Sequence, residues 1–172
     1  DLLIASVLCN DPVMYIDDRW LYDQEDELPP VIELDLATQR PEVSVIGSDV
    51  TIVASGHASL LAREAEKLLK CENISAEVID VRVLNPFHAE EIIESVKKTK
   101  NLLVVDSGWI SGGFSAEVIA KVVEQLPVDC LSNPPVRVAL PDAPAPTSRV
   151  LEKAYYTSTD DVVKAVKKIL NS

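Results

Sequence analysis

The stretch NLLVVDSGWISGGFSAEVIAKVVEQL, residues 101–126, restricts the fold more than any other part of the chain. Residues 102–105 form a β-branched-rich apolar run, too short for a helix and without polar alternation, which predicts a strand covered on both faces. Asp106, Ser107, Gly108, Gly112 and Gly113 supply turn chemistry and Ser115 is a potential helix cap. Val118, Ile119, Val122, Val123 and Leu126 then recur at helical spacing. A strand, a glycine-punctuated turn and an amphipathic helix form half of a parallel βαβ unit, and such a unit needs like neighbours to bury both faces of its strand.

Those neighbours lie on either side. VTIVASG reads as a strand ending at Gly56, followed by the helix HASLLAREAEKLLK. SAEVIDVRVL is a second strand, and HAEEIIESVKKT a helix with an acidic first turn and a basic last turn, both favourable to its dipole. After the central unit come the strand PVRVAL, the extended PDAPAP, a short helical RVLEKAYY, and a closing helix STDDVVKAVKKIL capped by Ser158 or Thr159. Four strand–helix alternations with short loops predict a mostly parallel sheet with helices on both faces and right-handed crossovers. EVSVI, joined to VTIVA through a tight GSD turn, is the expected antiparallel edge strand.

The front of the chain has a different texture. Residues 1–22, which do not begin with methionine, read as a helix end followed by one strand, PVMYIDDRWLY; these cannot bury their apolar faces alone and suggest the tail of a preceding domain. Residues 23–42 read as a linker, with the acidic DQEDE solvated, the Pro29-Pro30 pair stiffening its exit, and VIELDL as part of a meander. Residues 43–172 are then the main domain. A chain of 172 residues buries roughly 70% of its unfolded surface.

Composition excludes several classes of function. Lys plus Arg number 16 against 28 for Asp plus Glu, a net charge of −12, so nucleic acid and anionic membranes are unsuitable partners. No apolar run approaches the ~20 residues that span a bilayer. Cys9, Cys71 and Cys130 are far apart and form no metal-ligand pattern with His57 and His88, which points to reduced thiols, a cytosolic setting and no structural zinc.

In an open α/β sheet, ligands bind at the carboxyl ends of the strands. Those loops hold Ser55, Gly56 and His57; Arg82 and Asn85; Asp106, Ser107 and Gly108; and Pro141 with Asp142. His57, Asp106 and a serine would suggest acyl transfer, but the GxSxG elbow is absent. Gly112 and Gly113 at a helix start would suit an anion, yet the spacing is not GxGxxG and no P-loop lysine follows. Trp109, in the turn, reads as an interface anchor. Asp80 and Arg82 lie two apart on one strand and read as an ion pair or an interdomain contact. The residues alone describe an α/β domain with a polar crevice bordered by Ser55, His57, Arg82, Asp106, Trp109, Gly112, Gly113 and Asp142.

Taken together, GSDVTIVASG, EVIDVRVLNPF, IIESVKKTKNLLVVDSGWISGGFSAEV and PVRVALPDAPAPTSRVLEKAYYTSTDDVVKAVKKIL resemble the C-terminal domain of the transketolase family. The likeness is greatest to the E1 β subunits of 2-oxoacid dehydrogenase complexes. It runs from about residue 45 to the end, and PVMYIDDRWLY is similar to the last strand of that family's preceding pyrimidine-binding domain. The resemblance implies a three-layer α/β/α sandwich with a five-stranded mixed sheet. It also implies a parent enzyme that decarboxylates a 2-oxoacid on thiamine diphosphate with Mg²⁺ and passes the acyl group to a lipoyl arm on E2. The GDG motif that binds the diphosphate occurs nowhere here, and the family's activating glutamate and histidines lie in the pyrimidine-binding domain. The implied role is therefore assembly without catalysis: contacts with a second β subunit, with E1 α, and with the basic peripheral subunit-binding domain of E2, to which a −12 chain ending in the Ser172 carboxylate is suited. The location implied is the cytoplasm or the mitochondrial matrix. The alternatives are a transketolase-like parent acting on sugar phosphates, or a regulatory domain that binds a small anion.

Overall fold

The computed structural model describes residues 1–25, 27 and 30–171; Asp26 in the acidic linker, Pro29 of the stiffening pair and the Ser172 carboxylate lie outside the described residues. The sheet has five strands: β1 (Glu42–Val45), β2 (Val50–Ala54), β3 (Ala76–Asp80), β4 (Leu102–Trp109) and β5 (Val136–Leu140). Among the described residues six α-helices accompany it: α1 (Leu2–Leu8), α2 (His57–Cys71), α3 (Glu90–Thr99), α4 (Phe114–Gln125), α5 (Arg149–Tyr155) and α6 (Thr159–Leu170). The strand order is β1-β3-β2-β4-β5, with β3, β2, β4 and β5 mutually parallel and β1 antiparallel to β3. This is the three-layer sandwich with an antiparallel edge that the rhythm of the sequence predicts.

The apolar strands are buried on both faces because alternate residues serve different helical layers. On one face Val50, Ile52, Val78, Leu103 and Val105 pack against Ala58, Ala62 and Leu69 of α2 and Val162, Val166 and Ile169 of α6. On the other, Val53, Ile79, Leu102 and Val104 meet Ile92, Ile93 and Val96 of α3 and Val118 and Val122 of α4. Each of these Val, Leu and Ile side chains contributes roughly 1.5–3 kcal/mol when fully buried. A polar seam fixes α3 on β2, where the Thr51 hydroxyl bonds those of Ser95 (2.7 Å) and Thr99 (2.6 Å).

Four boundaries differ from expectation. Residues 12–22 are not a strand: the backbone is irregular until a single 3-10 turn at Arg19–Leu21, and Met14 and Ile16 are 86% and 71% exposed. VIELDL is likewise no strand and runs into a 3-10 turn, Leu36–Thr38, capped by Asp35. Both segments alternate in hydrophobicity but find no sheet edge to join. The edge strand β1 pairs with β3 and not with β2, its neighbour in sequence. The GSD turn explains this path: Gly47 N donates to the buried Glu77 carboxylate and Ser48 N to Ser75 O, so the chain passes beneath the start of β3 before β2 begins. Finally, β4 continues through Asp106, Ser107 and Gly108 to Trp109, where it pairs with Leu140 of β5, so the turn occupies residues 110–113.

Candidate functional site

At the carboxyl ends of β2, β4 and β5 lies a crevice of about 440 Å³ that includes His57, Asp106, Ser107 and Leu140. Its other wall is residues 16–20 and Tyr156, parts of the chain far from these loops in sequence. The construction of the site is clearest at α2. This helix starts at His57 after Gly56 and has no side-chain cap within its own turn. Its first N–H groups need an acceptor, and Asp18 supplies one: Asp18 Oδ2 accepts from His57 N at 3.2 Å, while Oδ1 accepts from Trp20 N at 3.1 Å. The Trp20 indole then stacks on the His57 imidazole, with centroids 5.6 Å apart and planes at 29°, and meets Tyr156 edge-on at 5.7 Å. The segment 17–20 is a strap across the crevice.

The second helix start, at α4, is finished from within its own unit. Asp106 is buried; its Oδ2 accepts from Ser115 N at 2.7 Å and its Oδ1 from Gly108 N at 2.8 Å. Ser115 therefore contributes its backbone and not its hydroxyl to the cap; that hydroxyl is buried without a partner among the described residues. Gly112 sits at φ 71°, and a Cβ on Gly113 would stand 2.2 Å from the Trp109 carbonyl oxygen. The glycines let the turn close tightly enough for a side-chain carboxylate to fill the place of an external anion.

The other residues singled out in the sequence are dispersed. Ser55 is half-buried at the end of β2, beside the crevice but not lining it. Arg82 turns toward the edge strand, pairing with Glu42 at 2.9 Å and donating to Arg40 O at 3.2 Å. Asp80 is held by the Ser59 hydroxyl (2.8 Å), and burial is the main cause that raises its carboxyl above the usual 3.8. Asp142 accepts from Ser111 N (3.1 Å) and Ser111 Oγ (2.6 Å), tying the 110–113 turn to the segment after β5. Trp109 is 54% exposed and donates from Nε1 to Tyr155 Oη at 3.0 Å, which in turn donates to Ala143 O. His88 Nε2 lies 2.9 Å from Ala37 O.

His57 and Asp106 thus share the crevice without forming an acid–base couple, because both Asp106 oxygens are engaged by backbone N–H groups. No local pattern in the sequence singles out Asp18, Trp20 and Tyr156. One signal was available: a long helix opening on Gly56 with no Ser, Thr, Asp or Asn cap must find its acceptor elsewhere. Among the described residues no three His, Cys, Asp or Glu side chains cluster as metal ligands, and no helix is long and apolar enough to cross a membrane.

The family model of the transketolase C-terminal domain matches residues 40–162. The pyruvate dehydrogenase E1 component subunit beta of Rickettsia felis is 36% identical over 168 residues, covering 98% of this chain and 51% of that protein. The mitochondrial subunit of the same name from Caenorhabditis elegans is 36% identical over 173 residues, covering 99% and 49% respectively. The chain spans about half the length of the curated relatives it matches. Among solved structures, a split gene transketolase described as an inactive β4 tetramer superposes with a TM-score of 0.70 at 32% identity, covering 86% of this chain and 46% of that one. A 2-oxoglutarate:ferredoxin oxidoreductase from Magnetococcus marinus, at 16% identity and a TM-score of 0.55, shares the fold.

Proposed function

The chain belongs to the transketolase C-terminal domain family, and from that membership we propose that it is the non-catalytic assembly domain of the β subunit of a thiamine-diphosphate-dependent 2-oxoacid dehydrogenase E1. The parent reaction is then oxidative decarboxylation of a 2-oxoacid with acyl transfer to lipoyl-E2. Residues 43–172 form the assembly domain, 23–42 the linker, and 1–22 the tail of a pyrimidine-binding domain. The partners are a second β subunit, E1 α, and the peripheral subunit-binding domain of E2, whose basic surface suits a −12 chain. The names of the relatives at 36% identity support this reading.

The observation that carries it is that the helix starts beside the crevice are already capped by the chain's own carboxylates. Where an open α/β sheet receives a ligand, the chain's own Trp20, stacked on His57, forms part of the wall, and both helix starts beside it already hold a carboxylate. The residues present do not fit thiamine diphosphate with Mg²⁺: the N–H groups that would bind a diphosphate are committed to Asp18 and Asp106, and Asp17, Asp18 and Asp106 make the lining acidic despite Arg19.

Calorimetric titration of the 172-residue chain with thiamine diphosphate and Mg²⁺ is expected to give no binding heat. Micromolar binding would sink the proposed division of labour. A second readout addresses assembly: Trp109→Ala is expected to weaken self-association in sedimentation while leaving Tm nearly unchanged, and the opposite pattern counts against an interface role for that half-exposed indole. A parent acting on sugar phosphates is the second reading, favoured by the 32% identity to a split gene transketolase. A gene for a lipoyl acyltransferase beside this one decides for the dehydrogenase.

A further inference from the structure

The sheet overhangs its helical layer at one edge. On the face covered by α3 and α4, Ile79 of β3 is sealed beneath the helices, but β1 extends beyond them. Val43, which pairs with Ile79 across the ladder, is 40% exposed, and Ile46, just past the strand, is 81% exposed. Between these two residues and α3 runs an open groove of about 510 Å³. The outer backbone edge of β1 has no strand partner among the described residues.

The far wall of the groove is Glu90, Glu91, Glu94 and Lys98, with Glu77 at its base. Lys98 is committed to Glu77, and Arg40 is shared between Glu90 (3.4 Å) and Glu91 (3.2 Å). Lys97 reaches Glu94 at 2.7 Å. One acceptor is left over: Glu91 Oε2 is shielded from solvent and has no hydrogen-bond partner among the described residues. A shielded carboxylate oxygen without a donor is unfavourable, and a cation bound beside Glu91 in the groove lowers that cost. The groove therefore combines an apolar side, an acidic side with an unmet acceptor, and a free strand edge.

We propose that this groove docks an extended segment of a partner protein that carries Lys or Arg beside an apolar residue. The apolar side chain lies against Val43 and Ile46, the cation meets Glu91 and Glu94, and the backbone of the segment adds to the free edge of β1. Charge complementarity selects this occupant: the same groove on a second copy presents the same Glu90, Glu91 and Glu94 and is repelled here, whereas a basic segment is attracted before contact. The surface lies at the opposite edge of the sheet from Trp109 and β5, and it does not depend on which parent enzyme the chain serves.

The test is a titration of the ¹⁵N-labelled 172-residue chain with a synthetic dodecapeptide of alternating Lys and Val, and with its Glu–Val counterpart. The basic peptide is expected to shift amides of residues 42–46 and 90–98, and the acidic one to shift none. Ile46→Ser and Glu91→Gln are each expected to weaken binding about fivefold or more, with unchanged circular dichroism. Absence of shifts at millimolar peptide overturns the proposal. So do shifts scattered over the surface and indifferent to Ile46→Ser, which mean unspecific attraction to an acidic chain. If sedimentation reveals a dimer that Ile46→Ser dissolves, the occupant is a second copy and the proposal is wrong.

Discussion

The helices α2 and α4 begin in the same way and are completed in opposite ways. Each follows a glycine, Gly56 or Gly113, and neither has a side-chain cap of its own. Each takes a carboxylate at its positive end, where the helix dipole and the unpaired N–H groups favour one. For α4 the donor of that carboxylate is nine positions away, buried and bound at 2.7 Å. For α2 it is 39 positions away, part-buried and bound at 3.2 Å. Asp106 is further fixed by Gly108 N, whereas Asp18 sits on a strap whose other hold is an aromatic stack. The entropic cost of closing a loop grows with its length, and a part-buried bond recovers less of it. The α4 cap is therefore part of the fold, and the α2 cap is a clasp whose opening would leave the sheet intact.

If that contrast holds, damage at α4 is severe. Gly113→Ala has the largest expected effect: its Cβ meets the Trp109 carbonyl at 2.2 Å and the Asp106 carboxylate at 2.9 Å, and the backbone cannot give way. A loss of about 3 kcal/mol or more is expected in urea unfolding. Asp106→Ala follows at roughly 2–3 kcal/mol, because it strips an acceptor from a buried and a part-buried N–H. A loss under about 1 kcal/mol for Asp106→Ala would mean that water replaces the carboxylate, and the α4 turn would then be open to outside anions after all.

The same contrast explains what the sequence discloses. Rhythm is local, so the apolar runs of β2, β3 and β4 and the periodicity of α2, α3 and α6 are legible, as is the Ser158 cap. The antiparallel character of β1 follows from the tight GSD turn, but its position beside β3 depends on the Gly47–Glu77 contact across 30 positions, which no local pattern encodes. Alternation in VMYI and VIELDL imitates strands, since pattern records the amphipathicity of a segment and not the availability of a sheet edge. His57 and Asp106 are found by the rule that loops at carboxyl ends form crevices. Trp20 and Tyr156 are not, because aromatic stacking between distant segments is set by the path of the chain.

A third helix start calibrates the other two. The cap of α6 is wholly local: Ser158 Oγ accepts from Asp161 N at 3.3 Å, and the Asp161 carboxylate accepts from Ser158 N at 3.1 Å and Ser158 Oγ at 2.6 Å. Ser158→Ala is expected to cost about 1 kcal/mol at pH 7. The hydroxyl of Ser158 is the main cause that holds the Asp161 carboxyl below its ordinary 3.8. A carboxyl lowered on folding stabilises the fold above its unfolded value, and that contribution disappears as pH falls through the lower folded value. The gap in Tm between Ser158→Ala and the unaltered chain is therefore expected to narrow below about pH 4, leaving the part that comes from the Asp161 N–H bond to Ser158 Oγ. A gap of undiminished size there would show that the bond from Ser158 Oγ to the Asp161 carboxylate contributes nothing.

The smallest expected effect on stability is at the clasp itself, and it separates the two caps most directly. Asp18→Ala removes the 3.2 Å part-buried bond from His57 N and the exposed 3.1 Å bond from Trp20 N, and water can reach the N–H groups it vacates. A cost of about 0.5 kcal/mol is expected, at the low end for lost helix caps. Trp20 is 59% exposed, so Trp20→Ala is expected to change Tm by a similarly small amount. Neither substitution touches the sheet. What changes is access to the strap: tryptic cleavage after Arg19 under native conditions is expected to accelerate about fivefold in both variants, since local opening and not global unfolding exposes that bond. Equal cleavage rates in both variants and the unaltered chain would show that the strap already moves freely. A Tm loss for Asp18→Ala as large as that for Asp106→Ala would show that the remote cap carries the same structural weight as the local one, and the distinction between anchor and clasp would fail.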